Sequence, residues 1–262
     1  MRTIAVTWET AHQHGEAWIS HHRLRYRMFV ERQRWDIPNY RGLEYDEFDT
    51  PAATYILTVD HQRHALGVAR LIPTTRPYMV RSLWPHLVDS ELPDNVSVWE
   101  ASRFGCDRDL DVGTRRRVIA QLILGCQEFG LAQGIGRYLG VMPVWIFKRV
   151  IAANGCPVTY LGPTLRLQDH EIAAAYIEVS RSTLEAARNR TGVRHAVLTQ
   201  DPLDFRANGP SPDLPPYHQV VPLDPIETDP AATTPEKPGA QAERLRAGER
   251  LLGHGLISGQ PA

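Results

Sequence analysis

Between residues 25 and 104 this chain sets guanidinium and carboxylate groups at positions where the local hydrophobic pattern calls for apolar side chains. Trp18, His22, Arg25 and Phe29 fall at i, i+4, i+7 and i+11, one face of a helix predicted over residues 16 to 35. Leu66, Val68, Arg70 and Ile72 share one face of a predicted strand, Ala65 to Ile72. A buried guanidinium without an acidic partner costs several kcal/mol, roughly that of any unpaired interior charge. Such an arginine needs a carboxylate, from the protein or from a ligand. Within the protein, the acidic run Leu43-Glu44-Tyr45-Asp46-Glu47-Phe48-Asp49 offers Asp46 and Asp49 as candidates.

The stretch Val98-Trp99-Glu100-Ala101-Ser102-Arg103-Phe104 carries the same tension further. Its valine and aromatics favour a strand. In a straight strand Glu100 and Arg103, three positions apart, point to opposite faces. If both reach one cleft, the strand must be bulged. Two readings fit these residues taken alone: charges gathered around an anionic or zwitterionic ligand, or charges that serve only the solvated surface and the packing.

Composition sets the outer limits. A chain of 262 residues, 42% hydrophobic and 23% charged, suits one globular domain with or without an appendage. Net charge of −1 argues against a general polyanion binder. No apolar run approaches the roughly 18 residues of a membrane span. Met1 to Glu9 lacks the pattern of a secretory signal. Cys106, Cys126 and Cys156 are odd in number and far apart, so neither disulfides nor a zinc site is expected, and a cytoplasmic location fits.

Further elements follow in order. A strand is predicted at Tyr55 to Val59, a polar loop from Cys106 to Gly113, and a helix from about Thr114 to Gln133. Arg115, Arg116 and Arg117 occupy the first turn of that helix and suit a phosphate or an acidic partner. Tyr138 to Val144 reads as a strand, Trp145 to Asn154 as a helix ended by Gly155, and Cys156 to Leu161 as a strand. Residues 169 to 188 read as helix, and Ala196 to Leu198 as a short last strand. The order predicts an α/β fold with a mixed sheet and helices on both faces. A domain boundary is placed at residue 201, because 202 to 238 is crowded with proline and reads as disordered. Ala240 to Leu252 is compatible with a short helix.

Several motifs together resemble the acyl-homoserine-lactone synthases, the autoinducer synthases of the LuxI type. They are Leu24-Arg25-x-x-x-Phe29, Trp35, Asp46-x-x-Asp49, Arg70-Leu71-Ile72-Pro73-Thr74-Thr75, Trp84-Pro85 and Glu100-x-Ser102-Arg103-Phe104. A looser likeness runs through Gly140-Val141-Met142-Pro143 and Gly162-Pro163 to about residue 200. The resemblance implies a GNAT-like acyltransferase fold, a mixed and mostly antiparallel sheet opened into a V-shaped cleft, with a bulge in the Val98 to Phe104 strand. It implies S-adenosylmethionine and an acyl thioester, carried on acyl carrier protein or coenzyme A, as substrates. The products would be an N-acyl-homoserine lactone and methylthioadenosine. No metal or redox cofactor is required, since S-adenosylmethionine is consumed. A related reading is a GNAT-like N-acyltransferase that acylates another amine and forms no lactone.

The residues suit that chemistry on their own terms. S-adenosylmethionine presents an ammonium, a carboxylate, a sulfonium and a flat purine. Arg25, Arg70 and Arg103 offer guanidinium groups, Asp46, Asp49 and Glu100 carboxylates, and Phe29, Trp35 and Trp84 aromatic surface. Glu100 is expected to be the general base, Asp46 to hold the cationic part, and Arg25 or Arg103 the carboxylate. Asp49 and Arg70 are expected to order the network. Ala101, Met142 and Val144 are expected to line the acyl pocket. A threonine at the position of Met142 goes, in that family, with 3-oxo donors, so Met142 implies a weak preference for them. Arg115 to Arg117 would suit either carrier.

Overall fold

A computed structural model describes residues 1–199 of the chain. Strands that are apolar on both faces build the central sheet. In β4 (Thr54–Val59) and β5 (Ala65–Pro73), Tyr55, Leu57, Val68 and Ile72 face one hydrophobic cluster, while Ile56, Ala69 and Leu71 face another. Both faces are covered. On the first lies α1 (Gly15–Arg25), which continues as a π-helical turn, Tyr26–Arg32. On the second lie α3 (Val112–Ala132) and α5 (Arg181–Thr191). Asp111 caps α3 by accepting from Thr114 N at 2.9 Å, and Ser180 caps α5 by accepting from Thr183 N at 3.1 Å. Each cap is worth about 1 kcal/mol.

The remaining elements are β1 (Arg2–Val6), β2 (Asn39–Tyr40), β3 (Leu43–Glu44), α2 (Met79–Leu83), β6 (Val98–Cys106), β7 (Arg137–Pro143), α4 (Val144–Ile146), β8 (Val158–Tyr160), β9 (Leu165–Leu167) and β10 (His170–Glu178). Helical turns extend α4 to Asn154, where Gly155 at φ +90° ends them. The main sheet runs β1-β4-β5-β6-β7-β10-β8, with β9 paired to β10. Every pairing is antiparallel except β6 with β7.

That parallel pair positions the site. It is joined at only three rungs: Val98 with Arg137, Trp99 with Tyr138, and Glu100 with Leu139. Beyond Glu100, β6 continues along β5 to Cys106, whereas β7 continues along β10 to Pro143. The sheet thus opens into a V, the parting expected of a GNAT-like acyltransferase fold. Glu100 stands on the last paired rung.

The expected bulge is also present. Arg70 pairs with Ser102 and Val68 with Gly105, so β6 uses one more residue than β5 over that interval. Arg103 lies there with φ +53°, a left-handed conformation that costs a non-glycine residue energy. Gly105, two residues on, lets the π-helical turn approach. A Cβ there would stand 2.9 Å from Met28 Cε.

Three expectations needed correction. Residues 169 to 188 are not one helix: His170–Glu178 is a strand and only Arg181–Thr191 is helical. Alanine favours helix, but Ala173, Ala174 and Ala175 fill a strand buried on both faces, so tertiary packing overrides propensity. The helix of residues 16 to 35 ends at Arg32 and changes to π-helical geometry after Arg25. Val144 heads α4 rather than closing a strand. β1 was not anticipated, and near residue 198 the chain makes a single parallel bridge, Thr3 to Leu198. The proline-rich segment 202 to 238 and the short helix at Ala240 to Leu252 lie outside the described residues.

Candidate active site

Arg25, Arg70 and Arg103 come from α1, β5 and the β6 bulge, and all three turn toward the acidic segment after β3. Arg25 donates through Nε to Glu44 Oε2, and through Nη1 and Nη2 to both oxygens of Asp49, at 2.7 and 2.8 Å. Arg70 reaches both oxygens of Asp46, at 2.5 and 3.0 Å, and Asp49 Oδ1 at 3.0 Å. Arg103 donates to Glu44 Oε1, from Nη2 at 3.0 Å, and to Asp46 Oδ2 at 2.6 Å. Three cations and three anions therefore alternate, each carboxylate shared between two guanidinium groups. The set is electrically neutral. Arg25, Arg70 and Glu44 are fully buried, which only such mutual pairing permits.

Local hydrogen bonds fix the carboxylates. Asp49 Oδ2 accepts from Asp46 N at 2.8 Å, Asp46 Oδ1 accepts from Phe48 N at 2.9 Å, and Tyr55 donates its hydroxyl to Asp49 at 2.5 Å. Ser102 Oγ accepts from Arg70 Nε at 3.1 Å. Burial would raise the pKa of Asp46 and Asp49, yet the neighbouring guanidinium groups win and hold both below the usual carboxylate range.

The three arginines are not equivalent. All the nitrogens of Arg25 and Arg70 have carboxylate or hydroxyl acceptors. Arg103 Nη1 faces only the thioether of Met79, at 3.6 Å, a weak acceptor. Arg103 is also the one of the three with side-chain exposure, 7%. Its guanidinium lies over the Phe29 ring at 5.3 Å, and Phe29 stacks on Trp35 at 5.2 Å and 16°. Trp84 and Phe29 pack, half-buried, on the same hydrophobic cluster.

Glu100 stands beside this network without joining it. Its Oε1 accepts from Val80 N at 2.6 Å and its Oε2 from Met79 N at 3.2 Å, so it anchors the start of α2. Burial raises its pKa, and the two amides and Arg70 offset only part of that rise. A buried carboxyl with a raised pKa is suited to accept a proton near neutral pH.

The expected acyl-pocket residues lie across the sheet. Ala101 and Met142 pack on the cluster beneath α3, opposite the charged network. Val144 is half-buried at the start of α4. Arg115 is half-buried and Arg116 and Arg117 exposed on α3, also on that far side. The network and the arginine triplet are therefore not parts of one cluster. Glu44 was not singled out from the sequence, although it bridges Arg25 and Arg103. A signal existed: Glu44 and Asp46 are two residues apart in an extended segment and so share a face. Among the described residues, no His, Cys, Asp and Glu group could hold a metal ion.

Known proteins resemble this chain over the same region. The family described as Autoinducer synthase matches residues 12–187. The isovaleryl-homoserine lactone synthase of Bradyrhizobium diazoefficiens is 32% identical over 200 residues, covering 76% of this chain and 89% of that one. An acyl-homoserine-lactone synthase of Vibrio anguillarum is 30% identical over 55% of this chain and 76% of its own. Among solved structures, BjaI, a CoA-dependent acyl-homoserine lactone synthase with MTA, is 31% identical. It superposes with a TM-score of 0.69 over 76% of this chain and 93% of BjaI. With this fold, the opened sheet and the matched segment all in agreement, the chain belongs to the autoinducer synthase family and is an acyl-homoserine-lactone synthase.

Proposed function

We propose that the alternating arginine–carboxylate network is the S-adenosylmethionine site, that Glu100 is the general base, and that the acyl donor is a coenzyme A thioester without a 3-oxo group. One observation carries the reading. Arg103 alone of the three arginines keeps a nitrogen without a strong acceptor, and it does so beside an aromatic pair and close to the fork of the sheet. A substrate carboxylate satisfies that nitrogen better than the Met79 thioether does. Arg25, fully engaged and fully buried, then orders the acids rather than touching substrate. Asp49 and Arg70 have the same ordering part. With Arg103 Nη1 on the substrate carboxylate, the adjoining Asp46 carboxylate takes the substrate ammonium. Phe29, Trp35 and Trp84 supply flat surface for the purine.

The sheet separates the two substrates. Charged groups lie on the α1 face, while Ala101 and Met142 lie on the α3 face. The amine can meet the thioester through the parting between β6 and β7, where Glu100 stands on the last paired rung. Glu100, directly or through water, takes the proton from the ammonium. The free amine attacks the thioester carbonyl, a C–N bond forms, and the thiol leaves. The substrate carboxylate then displaces the sulfonium from the γ carbon, closing the lactone and releasing methylthioadenosine. That leaving group is already good, so holding the carboxylate in line supplies most of the second acceleration.

Relatives and the chemistry of the proposed pocket support the donor assignment. BjaI has been solved with SAM and isopentyl-CoA, and a second similar structure, MesI, is also described as CoA-dependent, 27% identical with a TM-score of 0.70. Met142 has no hydroxyl to meet a 3-oxo group, whereas its flexible thioether adapts to a branched or plain chain. Arg115 to Arg117 then meet the coenzyme A phosphates. The test is purified enzyme with S-adenosylmethionine and matched isovaleryl, straight-chain and 3-oxo donors, each on coenzyme A and on acyl carrier protein. Methylthioadenosine and lactone should appear together, fastest with a coenzyme A donor lacking the 3-oxo group. A clear preference for carrier-protein or 3-oxo donors would overturn the donor assignment.

A further inference from the structure

α1 carries a histidine that the chemistry above does not use. His22 is fully buried, three residues before Arg25 and so on the same helical face. Its Nδ1 lies 2.8 Å from the carbonyl oxygen of Glu44. A carbonyl only accepts, so Nδ1 bears the hydrogen and donates it. Its Nε2 is buried with no hydrogen-bond partner, which fits a neutral ring. Burial first, and the adjacent Arg25 second, keep that ring neutral by pulling its pKa down to about 4. The other face of the contact is Tyr45, whose ring stacks on His22 at 3.7 Å and 28°, while Trp18 closes the pocket edge-on at 5.3 Å.

One helical face therefore grips Glu44 at two points. Arg25 holds its carboxylate and His22 holds its backbone. The acidic segment has only the two-residue pairing of β3 with β2 as regular structure, so it depends on such side-chain holds for its register. Glu44 matters because its other oxygen meets Arg103, the arginine with the free donor edge. A shift of the Glu44 backbone would carry that oxygen away and let Arg103 swing.

We propose that His22 is a positioning residue for the S-adenosylmethionine site, acting through the Glu44 carbonyl and Tyr45 to set where Arg103 presents its free edge. The proposal rests on the assignment of that site given above. The experiment uses full-length enzyme and follows methylthioadenosine release for His22→Leu, His22→Asn and Tyr45→Leu, with unfolding curves for each. Leucine removes the donor and leaves the buried carbonyl unpaired. Asparagine places Nδ2 as many bonds from Cα as histidine Nδ1 and restores the donor.

His22→Leu should raise the KM for S-adenosylmethionine roughly tenfold, the scale of one buried carbonyl left unpaired, with the KM for the acyl thioester changed less than about twofold. His22→Asn should recover most of that loss. Should His22→Leu fail to fold, Tyr45→Leu carries the test, because it removes the stack from a half-buried position and leaves His22 in place. It should raise the same KM by about threefold. Equal losses in the leucine and asparagine variants, equal changes in both KM values, or an unchanged KM in Tyr45→Leu would overturn the proposal. Asp46→Asn is measured in parallel. If it weakens S-adenosylmethionine while the His22 and Tyr45 variants do not, the positioning role fails and the site stands. If none of the variants changes that KM, the site assignment fails as well.

Discussion

Glu100, the base in the proposed function, also has a structural part. Its two oxygens accept from the amides of Met79 and Val80, which pins α2 over the cleft, yet burial still raises its pKa. For a base the sign is direct: activity requires the ionised form, so it rises as pH climbs through the elevated folded-state value. The acid limb of kcat/KM should accordingly lie above the ordinary glutamate pKa of about 4.3. Glu100→Gln should lose roughly 10²- to 10⁴-fold in kcat and lose that limb with it. A variant with near-native turnover and an unchanged profile would assign the base elsewhere. The sequence singled out Arg103 among the charges drawn together and called for a bulge, and the bulge is present at that residue. What the sequence did not show was that φ of +53° at Arg103 itself accompanies the bulge, since the local pattern reads as an ordinary strand.

At the scale of elements, β5 and β6 carry charge into the core only because α1 and the acidic segment bring the opposite charge to meet it. Arg70 has carboxylate partners at Asp46 and Asp49, so Arg70→Met should leave two buried carboxylates short of a cation. Breaking a buried pair in this way costs about 3–5 kcal/mol, measurable as a lower urea midpoint with an unchanged slope. A loss below about 1 kcal/mol would mean that the network is held by packing rather than by pairing. β7 illustrates the other face. Met142 lies under α3 with Ala101, so Met142→Thr should shift donor preference toward 3-oxo thioesters by about fivefold, the scale of one net hydrogen bond. No shift in the ratio of kcat/KM values would place the acyl pocket elsewhere.

Legibility differed by element for physical reasons. Strands β4 and β5 were plain because short apolar, β-branched runs on either side of a polar loop read as strands even when both faces are buried. β10 was misread because its alanines satisfy a helical pattern as well as a strand squeezed between β7 and β8. β1 is five residues long, too short for a period to stand out. Glu44 was overlooked because a run with four acidic residues does not itself say which one turns inward.

For the molecule as a whole, the proposed function makes the sheet a partition that opens where β6 and β7 part. We assign amine chemistry to the α1 face and acyl recognition to the α3 face, and every residue given a part in either lies within residues 1–199. The family match, residues 12–187, lies inside that span as well. A chain ending at Asp201 should therefore keep lactone synthesis within about twofold of the full chain. A larger loss, with the fold retained by circular dichroism, would give residues 202–262 a part in catalysis.

The most direct test of the central claim is a crystal structure with S-adenosylmethionine bound. The substrate carboxylate should lie within hydrogen-bond distance of Arg103 Nη1, with the Met79 sulfur displaced, and the ammonium should approach Asp46 and Glu100. Ligand bound elsewhere, with the Arg103–Met79 contact intact and the six-charge network untouched, would contradict it.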